Sequence, residues 1–200
     1  MLQEVLKQAT SKQHHDLEQL MLVDKIMNGT LSAEEYQKIL QTNYIIHACF
    51  EQQLFESLDQ NLQNELNINN RIKLPALLKD LQELDIDAPE TEFNSKNLIL
   101  IGSNAAVLGA MYVLEGATLG GNVIVKKLKV NANLQKFNLG FHYYQVYAAS
   151  LITNWKNFLQ VLNTRVDASA YNQSIRSALT LFEYFMLVQN KQQLSGQSIS

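Results

Sequence analysis

The sequence predicts an all-α fold, a single-domain helical bundle. Three observations lead there. Apolar residues recur at helical spacing through most of the chain, and strand-like alternation is nowhere sustained. Only two prolines, Pro75 and Pro89, and eight glycines punctuate the 200 residues. Ser32-Ala33-Glu34-Glu35 forms a capping box, in which the Ser32 hydroxyl and the Glu35 carboxylate satisfy free backbone N–H groups reciprocally at the start of a long helix. A hydrophobic fraction of 46% and a charged fraction of 18% are globular values, enough to bury a core without covalent staples.

The elements follow in order. A first helix is expected from Leu2 to Met21, with its apolar stripe at Leu2, Leu6, Ala9, Leu17 and Leu20. A turn near Gly29 leads into the capped helix, which runs to about Leu58 and buries Tyr36, Ile39, Leu40, Ile46, Phe50 and Leu54. A short helix from Pro75 to Leu84 carries proline in its first turn, where no N–H is missed. Pro89 to Ser95 reads as a loop. The most apolar helix starts near Asn97, is interrupted between Gly116 and Gly121, and continues to about Val130. Two further helices are expected, roughly Phe141 to Leu162 and Ala168 to Val188. Residues 1–190 form one domain in this reading, and 191–200 a polar C-terminal tail that frays.

Composition excludes several classes of function. The net charge of −3 and the lack of a basic stripe with interleaved aromatics argue against nucleic acid as a partner. A single cysteine, Cys49, excludes an internal disulfide and fits a reducing compartment. Met1 to Thr10 is amphipathic and lacks the basic start and apolar run of a signal peptide, so the expected location is cytoplasmic. The charge-free stretch between Lys96 and Glu115 approaches the length of a membrane span. Asn97, Ser103 and Asn104 interrupt it, and no basic flank frames it, so a buried core helix is expected and no membrane.

Two features carry chemistry. On the first helix, His15 shares a face with Gln8, Ser11, Lys12 and Gln19 and points to water, whereas His14 lies at the border of the apolar stripe. A neutral imidazole there is a candidate metal ligand, with Glu18 four residues on as an acceptor for the other ring nitrogen. The plainer alternative is a boundary histidine paired with Glu18 and nothing more. The second feature is Glu115-Gly116-Ala117-Thr118-Leu119-Gly120-Gly121. Each helical glycine costs roughly 0.5–1 kcal/mol relative to alanine. Either a kink brings bare main chain against a flat ligand, or small residues let two helices pack closely. Together, a histidine on one helix and a glycine-kinked helix opposite would sandwich a planar metal macrocycle. Lys7, about 10 Å along the axis from His14, is a candidate partner for a ligand carboxylate. Tyr112 precedes Gly116 by one turn, and Lys126 and Lys127 follow the kink as further candidates.

Lys7-x-Ala9-Thr10-x-x-x-His14-x-x-x-Glu18 resembles the proximal-helix signature of heme oxygenases. Tyr112-Val113-Leu114-Glu115-Gly116-Ala117-Thr118-Leu119-Gly120-Gly121 resembles the distal-helix signature of their bacterial branch. Weaker matches extend the resemblance: Arg71 with Leu77-Leu78-x-Asp80-Leu81, Trp155-x-x-Phe158, and Ala178-x-Thr180-x-Phe182. The resemblance implies a heme oxygenase-type bundle and an enzyme that cleaves heme oxidatively to biliverdin, carbon monoxide and ferrous iron. Heme would be substrate and cofactor at once. It implies that His14 is the axial iron ligand with Glu18 as its neighbour, that Gly116 and Gly120 flank the distal face, and that Lys7 and Tyr112 help to bind the cofactor, with Lys126 a further cofactor-binding candidate on spacing grounds. No nucleotide-binding glycine loop follows a strand, so electrons come from an external donor, a ferredoxin or a reductase. Mammalian-type members carry an aspartate directly after the first distal glycine, where it orders water. Here that position is Ala117, which leaves Asn122, Thr118 or backbone carbonyls as candidates for that task. Two other classes stay in view: a non-catalytic heme or tetrapyrrole-binding protein on the same fold, and a helical di-metal oxidase using His47, Glu51 and Glu18.

Overall fold

The computed structural model describes residues 1–91 and 101–195, and every regular element among them is helical. Helices α1 (Leu2–Ala9) and α2 (Ser11–Leu20) occupy the expected first helix, divided at Thr10. The buried Thr10 hydroxyl donates to the Leu6 carbonyl at 2.8 Å, a back-bond of the kind that bends helices. After α3 (Val23–Asn28), Gly29 turns the chain with a left-handed φ of 70° into α4 (Ala33–Ser57). The capping box at Ser32 is formed in both directions, at 3.1 Å from the Glu35 N–H to the Ser32 hydroxyl and 2.9 Å from the Ser32 N–H to the Glu35 carboxylate. Asp59 then caps a short helix that periodicity did not predict, α5 (Gln60–Leu66), and α6 (Leu74–Glu83) starts with Pro75 in its first turn.

The expected helix start near Asn97 lies outside the described residues. The described part, α7 (Asn104–Gly116), is capped by the Ser103 hydroxyl, and α8 (Gly121–Lys129) resumes after a break at residues 117–120. Asn104–Lys129 is long and apolar enough to cross a membrane by composition, but 56% of its most apolar window is buried inside the fold.

The helix expected from Phe141 begins only at Leu151, as α9 (Leu151–Arg165). Residues 141–150 form a loop with two 3-10 turns, and Phe141 and Ala148 have left-handed φ values of 55° and 43°. The amides at its start find acceptors on α6. Asp80 accepts the N–H groups of His142 and Tyr143 at 2.6 and 2.8 Å, while Glu83 accepts that of Gly140 at 2.5 Å and meets His142 Nε2 at 2.8 Å. Asp80, Glu83 and His142 are the group of metal-competent side chains found among the described residues. These hydrogen bonds account for it as a clasp on the loop. The last helix, α10 (Tyr171–Ser195), continues beyond the domain end expected at 190.

α10 packs along α7 most extensively, then along α4 and α2. Two apolar cores result. The larger joins α1, α5, α7, α9, α10 and the second half of α4. The smaller joins the first half of α4 to α6, α8 and the 141–144 loop. The break between α7 and α8 therefore falls where the chain passes from one core to the other.

Candidate active site

A cleft of about 320 Å³ opens at the seam between the two cores, inside the ~300–1,000 Å³ range of small-molecule sites. One wall is α2, which contributes His14, Leu17 and Glu18. Opposite stand Tyr112 and Val113 from α7, Gly116, Ala117 and Gly120 around the break, and Val123 and Ile124 from α8. Trp155, Phe182 and Phe185 close the apolar end, and Asn43, Tyr143 and Tyr144 add polar atoms beside the break. The histidine and the bare main chain thus face the same space.

His14 faces the cleft, and its side chain is 61% exposed because the cleft opens to solvent. The ring stands edge-on to Phe182 with centroids 6.1 Å apart, and its Nδ1 lies 3.5 Å from Glu18 Oε2. That arrangement leaves Nε2 as the atom free to meet a ligand. His15 points away and meets Gln19 Nε2 at 3.1 Å.

The glycines separate into two kinds. A Cβ built on Gly116 would meet no atom within 4 Å, and one on Gly120 only the Ile124 side chain at 3.4 Å. Gly120 has an ordinary φ of −73°, and Gly29 is the one glycine with positive φ among the described residues. Neither backbone strain nor protein packing therefore demands glycine at 116 and 120; a side chain there would project into the open cleft. Gly121 is the opposite case, since its Cβ would collide with the Tyr144 carbonyl, as one on Gly109 would with the Ser174 main chain. The motif thus combines open space over Gly116 and Gly120 with close packing at Gly121.

The break is a run of tightened turns. Leu119 N–H donates to the Gly116 carbonyl at 3.0 Å and Gly121 N–H to that of Thr118 at 2.9 Å. The Thr118 hydroxyl is occupied at 2.8 Å by the Glu115 carbonyl. Thr118 and Asn122 do not line the cleft, so neither side chain organises water there.

Just before the break, Glu115 is held in a buried ionic cluster. Its carboxylate accepts from Arg71 at 2.5 Å, Lys73 at 2.6 Å and the Tyr147 hydroxyl at 2.8 Å. Arg71 also donates to the Leu66 and Asn154 carbonyls and to Asn157 Oδ1. Burial pushes the Glu115 carboxyl up, but Lys73, Arg71 and Tyr147 outweigh it and hold it below the usual range. The cluster ties the end of α7 to α9 and to the segment after α5, which fixes where the helix breaks.

Lys7 and Lys126 are exposed and are not among the residues that line the cleft. The bend at Thr10 lies between Lys7 and His14, so the straight-helix spacing between them does not hold. Lys126 and Lys127 follow Val123 by three and four residues, on the face of α8 that reaches the cleft. Tyr112 is half-buried and packs against Trp155 with centroids 5.9 Å apart; burial, and secondarily Glu4, raises its hydroxyl pKa. His47 and Glu51 pair with each other at 2.7 Å, deep beside Lys73, and share no cluster of metal-competent groups with Glu18 among the described residues. The di-metal arrangement is not formed.

Sequence reasoning missed Asn43, Tyr143 and Tyr144. The signal for the first was present: Asn43, His47 and Glu51 repeat at four-residue spacing along an otherwise apolar face of α4.

A model of the heme oxygenase family matches residues 1–191. The chain belongs to the heme oxygenase family. A heme oxygenase of Xanthomonas campestris pv. campestris (strain 8004) is 29% identical over 167 residues, 82% of this chain and 94% of that one. Among solved structures, heme oxygenase from Leptospira interrogans superposes with a TM-score of 0.77 at 17% identity, covering 95% of this chain and 98% of that one. Heme oxygenase-1 from the cyanobacterium Synechocystis sp. PCC6803, in complex with heme, gives 0.75 at 15% identity, covering 97% and 93%. The NO- and CO-bound enzyme from Neisseria meningitidis gives 0.73 at 21% identity, covering 96% and 92%. At these identities the superpositions establish the all-α fold of the family, and the family model establishes membership.

Proposed function

We infer that this chain is a heme oxygenase in function: it takes heme into the cleft between α2 and the α7–α8 break and, with oxygen and external electrons, cleaves it to biliverdin, carbon monoxide and ferrous iron. The observation that carries the reading is that His14 faces Gly116 and Gly120 across one apolar slot where glycine serves neither packing nor backbone strain. A flat macrocycle fits such a slot, and an imidazole is a suitable axial ligand.

When bound, heme supplies the iron at which oxygen is activated. The protein's own residues bind, orient and shield it. His14 would offer Nε2 to the metal, with Glu18 Oε2 standing 3.5 Å from its Nδ1. Phe182 restrains the imidazole ring. Gly116 and Gly120 would let main chain approach a bound planar ligand closely. Tyr112 and Trp155 pack at the apolar end. Lys126 and Lys127 at the rim, and Lys7 on α1, are the cations we assign to the propionates, which carry negative charge out to solvent. Electrons come from a separate ferredoxin or reductase, and the reaction runs in the cytoplasm with neither membrane nor nucleic acid as partner.

The deciding experiment incubates the purified protein with hemin, oxygen and a reductant, with catalase present to remove free peroxide. Conversion of the Soret band to biliverdin absorption, with release of carbon monoxide, is expected. A Soret band that persists would make the chain a heme-binding protein without the cleavage activity. The glycines provide an independent check. Gly116→Leu is expected to fold with stability within about 1 kcal/mol of the parent, because its side chain enters open space. It should also bind hemin at least tenfold more weakly by absorption titration. Gly121→Ala should instead cost about 3 kcal/mol by urea unfolding, because the added methyl meets backbone.

A further inference from the structure

Among the described residues, Glu18 on the α2 wall is the one carboxylate lining the cleft, and none lines the wall around the break. The residues with polar side chains that line the cleft beside the break are Asn43, Tyr143 and Tyr144. Tyr143 is 1% exposed and sits on the loop that packs against Gly121 through the neighbouring Tyr144 carbonyl. Behind it runs a buried chain of hydrogen bonds. The Tyr143 hydroxyl lies 3.3 Å from His47 Nε2, and His47 Nδ1 lies 2.7 Å from Glu51 Oε2. Glu51 is itself fixed, accepting the Lys73 N–H at 2.9 Å and the Leu74 N–H at 3.1 Å.

The direction of each bond follows from protonation. Burial lowers the His47 pKa more than Glu51 raises it, so the ring is neutral and has one N–H. At Glu51, burial pushes the carboxyl up, but His47 and the Lys73 amide outweigh it, so the group is an anion that only accepts. The single imidazole proton must therefore lie on Nδ1, facing Glu51. Nε2 is left bare and takes the proton of Tyr143, whose oxygen can offer the cleft only lone pairs. Asn43, which also lines the cleft, donates one amide hydrogen to the Ile39 carbonyl at 2.8 Å and keeps both a second amide hydrogen and its carbonyl oxygen.

We infer that Tyr143 is the acceptor that orients water on the break side of the cleft, with His47 and Glu51 as positioning residues that hold its proton away from the site. A water donating one hydrogen to Tyr143 has its second hydrogen free to point at whatever is bound opposite His14. The pair thus performs, from behind the wall, the ordering that no carboxylate performs at the break. The titratable groups around the pair are Glu51 on α4, Lys73 and Glu115, and the neighbouring Tyr144 and Tyr147.

The inference rests on the heme reading only for its purpose, and the test separates the two. In protein without heme, nitrogen-15 NMR of His47 should show Nδ1 protonated and Nε2 bare at neutral pH. The opposite tautomer would turn Tyr143 into a donor and overturn the inference whether or not heme binds. In the hemin complex, the readout is the pH midpoint of the acid–alkaline spectral change of the ferric state. Water on iron is a stronger hydrogen-bond donor than hydroxide, so an acceptor beside it favours the water form. Tyr143→Phe and His47→Leu should each lower the midpoint by about one unit, a tenfold change. His47→Gln, which keeps an acceptor, should stay near the parent value and serves if His47→Leu does not fold. His47→Leu should add nothing once Tyr143→Phe is present. An equal shift from His47→Leu in that background, or no shift from Tyr143→Phe, would overturn the assignment. Failure of the parent protein to bind hemin would refute the proposed function and leave the NMR result standing.

Discussion

His14→Ala is expected to abolish the hemin Soret complex, with affinity falling by more than about 100-fold, since even groups that only support a metal ligand contribute 10–100-fold. His15→Ala should be silent. The two histidines are adjacent in sequence and opposite in role, because a helix turns consecutive side chains through about 100°. His14 lines the cleft beside Leu17 and Glu18, while His15 meets Gln19 on the outer face. Absorption titration of both variants with hemin, alongside circular dichroism to show that α2 is intact, makes the comparison. Equal effects from the two substitutions, or none from either, would remove His14 from the iron.

The second large effect is expected at Glu115. Glu115→Gln keeps the shape of the side chain but strips the counter-charge from Arg71 and Lys73, both buried. Breaking a buried ion cluster in this way costs about 3–5 kcal/mol, because the cations left behind are neither solvated nor paired. Urea unfolding should show it as a lower midpoint. The same group predicts how acid acts. Lys73 and Arg71 hold the native Glu115 carboxyl below its ordinary value of 4.5 despite burial. Its contribution to stability is therefore fully present above that unfolded value and is lost as pH falls through the lower native one. Glu51, lowered for similar reasons, acts in the same window. In Glu115→Gln the acid-induced loss of stability below pH 4.5 should be shallower than in the parent. An unchanged urea midpoint would mean that the cluster is not what anchors the end of α7.

The cluster also explains why the break can be so short. The penultimate residue of α7, Glu115, is gripped by three partners, and α8 begins on Gly121, which is pressed against the Tyr144 carbonyl. With both ends fixed, residues 117–120 need no unusual backbone conformation, and no positive φ occurs there. The open surface at Gly116 and Gly120 is then a property of the support around it.

Much of this was legible in one dimension. Helical periodicity, the Ser32 capping box, Pro75 at a helix start and the glycine cluster are local features, set by neighbours within a turn or two, so the chain states them directly. His14 could be told from His15 by face alone. Other features arise only when distant segments meet. Glu115 finds Arg71 and Lys73 more than 40 residues away, and His47 finds Tyr143 at a separation of 96. The loop before α9 looked helical by spacing, but Asp80 and Glu83 on α6 claimed its amides first. Likewise, the three glycines of the motif read alike until packing showed that Gly121 meets backbone while Gly116 and Gly120 face the open cleft. A side chain's identity records what it can bond to; only the folded arrangement determines which partner stands within reach.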